Sequence, residues 1–137
     1  MKDYRVGLFC FAVALVLTLS LAPGPLSAHH GRGQTYNGDQ ELSVDGTVSE
    51  FSWRNPHVTL FLDAVDESGN VVNWGFEISN VSTMSRQGWS RNIFKPGQKV
   101  NVTYNPARSG APIGVLRRVT LSDGSVVGSR GNANTIE

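Results

Sequence analysis

The sequence predicts an all-β protein, a small five-stranded OB-like barrel with one short helix between strands 3 and 4. Five segments either alternate apolar and polar residues with the two-residue period of strands or are rich in strand-forming residues, and turns that contain Pro or Gly separate them. The one clear helical start signal follows the third of these segments. Five short strands suit a small, partly open barrel better than a sandwich, which needs about seven.

The N-terminus is predicted to be a secretory signal peptide that ends at Ala28. Lys2 and Arg5 precede an uncharged apolar run, and Ala28 is the small residue that a signal peptidase requires. The single cysteine, Cys10, is removed with this segment, so the mature domain uses no disulfide. The predicted organisation is a signal peptide over 1–28, an N-terminal arm over 29–40, the barrel over 41–122 and a flexible tail over 123–137.

Residues Glu41–Trp53 are predicted to form a long first strand. Its apolar positions change parity along the segment, and Gly46 is expected to mark the bulge or bend where they do so. A long, bent first strand is what a small closed barrel needs to turn a corner. Asn55-Pro56 follows as the first turn, because Pro56 cannot donate to a ladder and disfavours helix at the residue before it.

The remaining elements follow from the same patterns. Gly69 allows a tight hairpin between the second and third strands. The helix is expected to be capped by Asn80 or Ser79 and to stop at Gly88. These elements are strands over 58–65, 71–78, 99–104 and 113–121 and a helix over 81–87.

Several short motifs are spread along the chain: Ala28-His29-His30, Trp53-Arg54-Asn55-Pro56-His57, Asn73-Trp74-Gly75-Phe76-Glu77, Gly88-Trp89 and Lys95-Pro96-Gly97. In these motifs the chain resembles a family of small exported bacterial proteins of unknown function. The resemblance covers nearly the whole mature chain and implies export, a bacterial source and one small domain, but no activity. We therefore expect a periplasmic or secreted bacterial protein.

Histidine placement suggests a metal site. If cleavage follows Ala28, His29 becomes the first residue, and its α-amine and ring can chelate one ion together. His57 adds a third nitrogen if the arm folds back over the first hairpin. That arrangement is similar to the histidine brace of secreted copper proteins, and such nitrogen ligands favour Cu(II). If cleavage instead follows Ser27, the start Ala28-His29-His30 binds Cu(II) through its amine, backbone nitrogens and His30.

Two carboxylates, Glu77 and Asp63, are candidates to join this site. Glu77 ends the third strand, which pairs with the start of the second, so it is expected to lie near His57. The competing interpretation makes His57 a turn residue that bonds a backbone carbonyl. Glu77 would then form an ion pair with Arg54 or Arg86.

The aromatic residues suggest a different function, a scaffold or a module that binds peptide or glycan. Trp53 and Trp89 lie beside turns and are predicted to be exposed, with Asn55 as a polar neighbour. Trp74 and Phe76 share a strand face and are assigned to the core, because a barrel without disulfides must bury large side chains.

Enzyme and nucleic-acid signatures are missing from the sequence. It contains no Gly-x-Ser-x-Gly, no His-Glu-x-x-His and no phosphate-binding loop. Basic and acidic side chains are equally numerous in the predicted mature chain, which argues against nucleic acid and anionic membrane as partners. The sequence thus predicts a binding module for a metal ion, a small ligand or a peptide; a redox enzyme built on the copper site is a weaker third class.

Overall fold

The computed structural model describes residues 31–128, and within this range the chain forms six strands and two short helices. The predicted signal peptide, His29, His30 and the end of the predicted tail lie outside the described residues. The elements are α1 (Arg32–Thr35), β1 (Leu42–Ser52), β2 (Thr59–Val65), β3 (Val71–Glu77), α2 (Val81–Arg86), β4 (Lys99–Pro106), β5 (Ile113–Leu121) and β6 (Val126–Gly128).

The first five strands close into a mixed barrel. Strand β1 pairs antiparallel with β2 and with β4, while β2 pairs with β3 and β4 pairs with β5. The barrel closes where Gly75–Glu77 of β3 pair in parallel with Ile113–Val115 of β5. A short helix, α2, lies between the third and fourth strands in the chain. The predicted fold class, an OB-like barrel with this helix, is therefore confirmed.

Strand β1 changes partners halfway along its length. Its first half, Leu42–Thr47, pairs with β4, and its second half, Thr47–Ser52, pairs with β2. The predicted bulge at Gly46 is absent, since the register shift lies between Val48 and Glu50. Gly46 instead allows β2 to approach β1 closely at Leu62 and Asp63. A Cβ there would lie 2.5 Å from Leu62 Cδ2 and 2.9 Å from the carbonyl oxygen of Asp63.

Both ends of the described chain carry structure that the sequence did not predict. The arm contains α1, and Tyr36 then forms a β-bridge with Ala107. Within the predicted flexible tail, Val126–Gly128 pair with Arg118–Thr120 as β6. Three residues are too few to show an alternating pattern, and their pairing depends on the part of β5 that β3 leaves free.

Helix α2 is capped as the sequence indicates. The Asn80 side chain accepts a hydrogen bond from the Thr83 amide at 2.9 Å, so Asn80 and not Ser79 is the N-cap. Gly88 follows with a φ of 83°, the left-handed conformation that ends helices. No helix within residues 31–128 has the length and hydropathy needed to cross a membrane.

The barrel interior forms one apolar core. Phe76 is fully buried, which confirms its predicted place in the core. Trp74 is only half-buried, and its indole stacks on Phe76 with ring centroids 5.9 Å apart. Met84 of α2 is also fully buried and joins the helix to the barrel. Burying side chains of this size contributes roughly 2 kcal/mol each. The largest fully buried side chains are Phe76, Leu60, Leu62, Met84 and Leu116.

We expect Gly46→Ala to lower the free energy of unfolding by about 1–3 kcal/mol, because the added methyl group must displace Leu62 and the backbone of β2. Urea denaturation followed by tryptophan fluorescence measures this. Gly38→Ala is the matched control, since a Cβ there meets nothing within 4 Å. It should change the stability by less than about 1 kcal/mol. Equal effects of the two changes would contradict the close approach.

Burial raises the pKa of the Tyr104 phenol above its ordinary value of 10.0. The folded state keeps this proton at a pH where the unfolded chain has lost it. The associated stability is therefore complete below the unfolded pKa and is lost as the pH rises through the folded pKa. Denaturation midpoints over about pH 8–11 should fall less steeply in Tyr104→Phe than in the wild type. Identical slopes would show that Tyr104 does not contribute.

Candidate functional site

The loop between β1 and β2 holds His57 in a fixed position. Its Asn55-Pro56 peptide bond is cis, and Asn55 Oδ1 accepts a hydrogen bond from the Val81 amide at 3.1 Å. The loop is therefore tied to the start of α2. On the other side of His57, Val58 is fully buried, and its amide donates to the Ser79 carbonyl at 2.7 Å. His57 itself is exposed between these two anchors.

Glu77, at the end of β3, contacts His57 as the sequence predicted. It lies opposite Thr59 in the β2–β3 ladder, and its Oε1 contacts Nδ1 of His57. Its Oε2 accepts a hydrogen bond from the Tyr36 hydroxyl at 2.8 Å. We call these three residues the Tyr36–Glu77–His57 cluster.

The competing interpretations of this region are wrong. Neither Arg54 nor Arg86 forms an ion pair with Glu77 in the part of the chain that the structure describes, and Arg86 donates to the Thr83 hydroxyl instead. Nδ1 of His57 meets the Glu77 carboxylate and not a backbone carbonyl.

The contact with Glu77 determines which nitrogen of His57 is available. A carboxylate oxygen is an acceptor, so Nδ1 must carry a proton. In the neutral imidazole, the lone pair then lies on Nε2. The His57 side chain is 44% exposed and that of Glu77 is 21% exposed, so the histidine is the more accessible of the two. Metal-ligating histidines have this arrangement, with one nitrogen on the ion and the other donating to a carboxylate.

Tyr36 connects the N-terminal arm to this cluster. It is 8% exposed and forms a β-bridge with Ala107, and the next amide, of Asn37, donates to the Pro106 carbonyl at 2.9 Å. The arm is thus held against the end of β4 while its tyrosine reaches β3. Sequence reasoning missed Tyr36. Tyr36 is the one Phe, Trp or Tyr residue in the predicted arm, and this could have indicated that the arm packs on the barrel at this point.

The described residues alone do not complete a metal site. Among residues 31–128, no group of three His, Cys, Asp or Glu side chains could hold an ion together. Asp63 does not join His57: it lies near the other end of β2, where it accepts a hydrogen bond from Asn73 at 2.7 Å. The predicted ligands His29 and His30 lie outside the described residues.

The prediction that Trp89 is exposed is wrong. Trp89 is 3% exposed, and its ring packs against Phe94 with centroids 5.8 Å apart in a T-shaped contact. The segment after α2 runs along the second half of β1, where the Val48 amide donates to the Gln98 carbonyl, so its aromatic residues face the core. Trp53 is half-buried. Proximity to a turn therefore did not predict the exposure of these side chains, and Trp53 and Trp89 do not form an exposed pair.

These features define a small closed β-barrel with a His–Glu–Tyr cluster at one end. The chain belongs to a family of unknown function, DUF6152, whose family model matches residues 17–117. Membership of a family without an assigned function was expected from the sequence and is confirmed, whereas export stays a prediction. Comparisons with curated proteins and with solved structures gave no match.

Tyr36→Phe should lower the free energy of unfolding by about 1–2 kcal/mol, because it deletes a partly buried hydrogen bond to a carboxylate. Chemical denaturation at neutral pH measures the loss. Tyr104→Phe is the matched control, since the Tyr104 hydroxyl has no hydrogen bond within residues 31–128. Its effect should stay within about 0.5 kcal/mol. If both variants lose the same stability, the hydroxyl of Tyr36 does not hold the arm.

Proposed function

We propose that the protein is an exported Cu(II)-binding module. The ligands are the α-amine and ring of His29, made N-terminal by signal-peptide cleavage, and Nε2 of His57, with His30 as a further candidate. The observation that carries this proposal is the contact between Glu77 and Nδ1 of His57, which leaves Nε2 for an ion. Imidazole and amine nitrogens are ligands that Cu(II) prefers.

Glu77 takes a different role in this proposal from the one the sequence suggested. One of its oxygens contacts His57 and the other accepts from Tyr36. We therefore assign Glu77 as a positioning residue that fixes the tautomer and ring orientation of His57. Such partners typically change metal affinity by about 10–100-fold when they are removed.

The anchored arm supports the proposal. His30 is joined directly to Gly31, the first described residue, and Tyr36 follows shortly after. The chain from His30 to Tyr36 can span at most about 20 Å. Since Tyr36 bonds the same carboxylate as His57, the arm lies close to the proposed ligand at Tyr36. This short tether reduces the entropy lost when the arm supplies nitrogens to an ion bound at His57.

The test is to titrate Cu(II) into the processed protein, whose first residue is His29. Calorimetry measures the affinity, and electron paramagnetic resonance reports the nitrogen ligands. We expect His29→Ala and His57→Ala each to weaken binding and to change the nitrogen hyperfine pattern. Glu77→Gln should weaken binding by about 10–100-fold with its folded state intact. Glu50→Gln, an exposed carboxylate on β1, is the matched control and should bind as the wild type does.

Two results would overturn the proposal. The first is a wild-type affinity no higher than that of the His29→Ala/His57→Ala double variant. The second is an N-terminal residue other than His29, determined by mass spectrometry of the exported product. The first result removes the copper site and the second removes the ligand set.

A further inference from the structure

An open groove lies at the other end of β2 from His57. It has a volume of about 580 Å³, and residues of β1, β2, β4 and β5 line it. The lining residues include six with polar or charged side chains: Asp45, Thr47, Asp63, Lys99, Asn101 and Thr120. None of these residues belongs to the Tyr36–Glu77–His57 cluster, so the groove is independent of the proposed copper site.

The groove lies at the point where β1 changes partners. Thr47 pairs with Asp63 of β2 on one side and with Lys99 of β4 on the other. Paired residues of a ladder point their side chains to the same face, so these three side chains form one row on the barrel exterior. A second row runs from Asp45 to Asn101 and on to Thr120 of β5. The two rows lie side by side across β1 and β4.

Two carboxylates of the groove are held in place by amides. Asn73 Nδ2 donates to Oδ1 of Asp63 at 2.7 Å, and Asn101 Nδ2 donates to Oδ1 of Asp45 at 2.8 Å. Each carboxylate keeps lone pairs for a further donor. Lys99 forms no ion pair with either of them in the part of the chain that the structure describes. The groove thus offers oriented acceptors beside an ammonium donor.

We propose that this groove binds a neutral saccharide. An anion would meet two carboxylates, and a polyamine would meet the ammonium of Lys99. A metal ion lacks a third ligand, because no group of three suitable side chains occurs among residues 31–128. Sugar hydroxyls both donate and accept, so they can satisfy the carboxylates and the ammonium together.

Apolar groups in the same groove suit the C–H faces of a sugar ring. Val65 is 69% exposed although it is a large apolar residue, and it lines the groove together with Leu121 of β5. Ligand sites typically combine such apolar surface with a few oriented polar groups, in volumes of about 300–1,000 Å³. Val65 and Leu121 therefore give the groove an apolar side against which a sugar ring can pack.

The test is a titration of the folded protein with glucose, N-acetylglucosamine and cellobiose, followed by backbone amide NMR spectra. Spermidine and inorganic phosphate are added in separate arms. We expect a saturable shift with at least one saccharide at Gly46, Thr47 and Asn101, and none there with spermidine or phosphate. Asp45→Asn/Asp63→Asn should weaken that binding by at least about tenfold.

The control is Glu50→Gln/Glu67→Gln, which removes the same charge from exposed positions outside the groove and should bind normally. If the Asp45→Asn/Asp63→Asn spectrum loses its dispersion, Lys99→Met tests the donor instead and should also weaken binding. The proposal is overturned if no saccharide gives saturable shifts, if spermidine or phosphate shifts the same signals, or if the folded groove variants bind as tightly as the wild type. None of these results depends on copper.

Discussion

The barrel depends on a single strand having different neighbours along its two halves. Thr47 is the position at which β1 pairs with both β2 and β4. Beside it, the missing side chain of Gly46 lets Leu62 and the backbone of Asp63 approach closely. A Cβ at this point would push β2 away, and the parallel pairing of β3 with β5 that closes the barrel depends on where β2 holds β3. Both proposed sites are positioned by the two halves of β1. The groove lies at Thr47, where the partners change, and His57 lies in the loop after the second half of β1.

Much of the fold was predictable because its causes are local. Strand alternation, the Asn80 cap and the Gly69 hairpin each depend on a few neighbouring residues. The contact of Glu77 with His57 was also predictable, because a tight hairpin fixes the register of β2 against β3. The role of Glu77 as a positioning residue was not predictable, because it depends on the hydrogen bond from Tyr36. Tyr36 is itself held by a β-bridge to Ala107, which is far away in the sequence.

The wrong predictions have a common physical origin. Trp89 was predicted to be exposed from its local neighbourhood, yet it is buried against Phe51 of β1 and Phe94, which come together only once the barrel is built. The β6 strand likewise forms only because β3 leaves half of β5 without a partner on that side. In each case the deciding surface is created by pairing between distant segments, and no short window of sequence contains it.

The two ends of β2 differ in what holds their polar groups. At the start, a carboxylate orients an imidazole and an arm residue completes its hydrogen bonds. Near the end, amides orient two carboxylates. Between them, Leu60 and Leu62 are fully buried in a close-packed core that permits little relative movement. Energetic coupling requires shared partners or a packed element with two arrangements, and these sites share no residue. The barrel therefore acts as a rigid support that presents two chemically different surfaces independently.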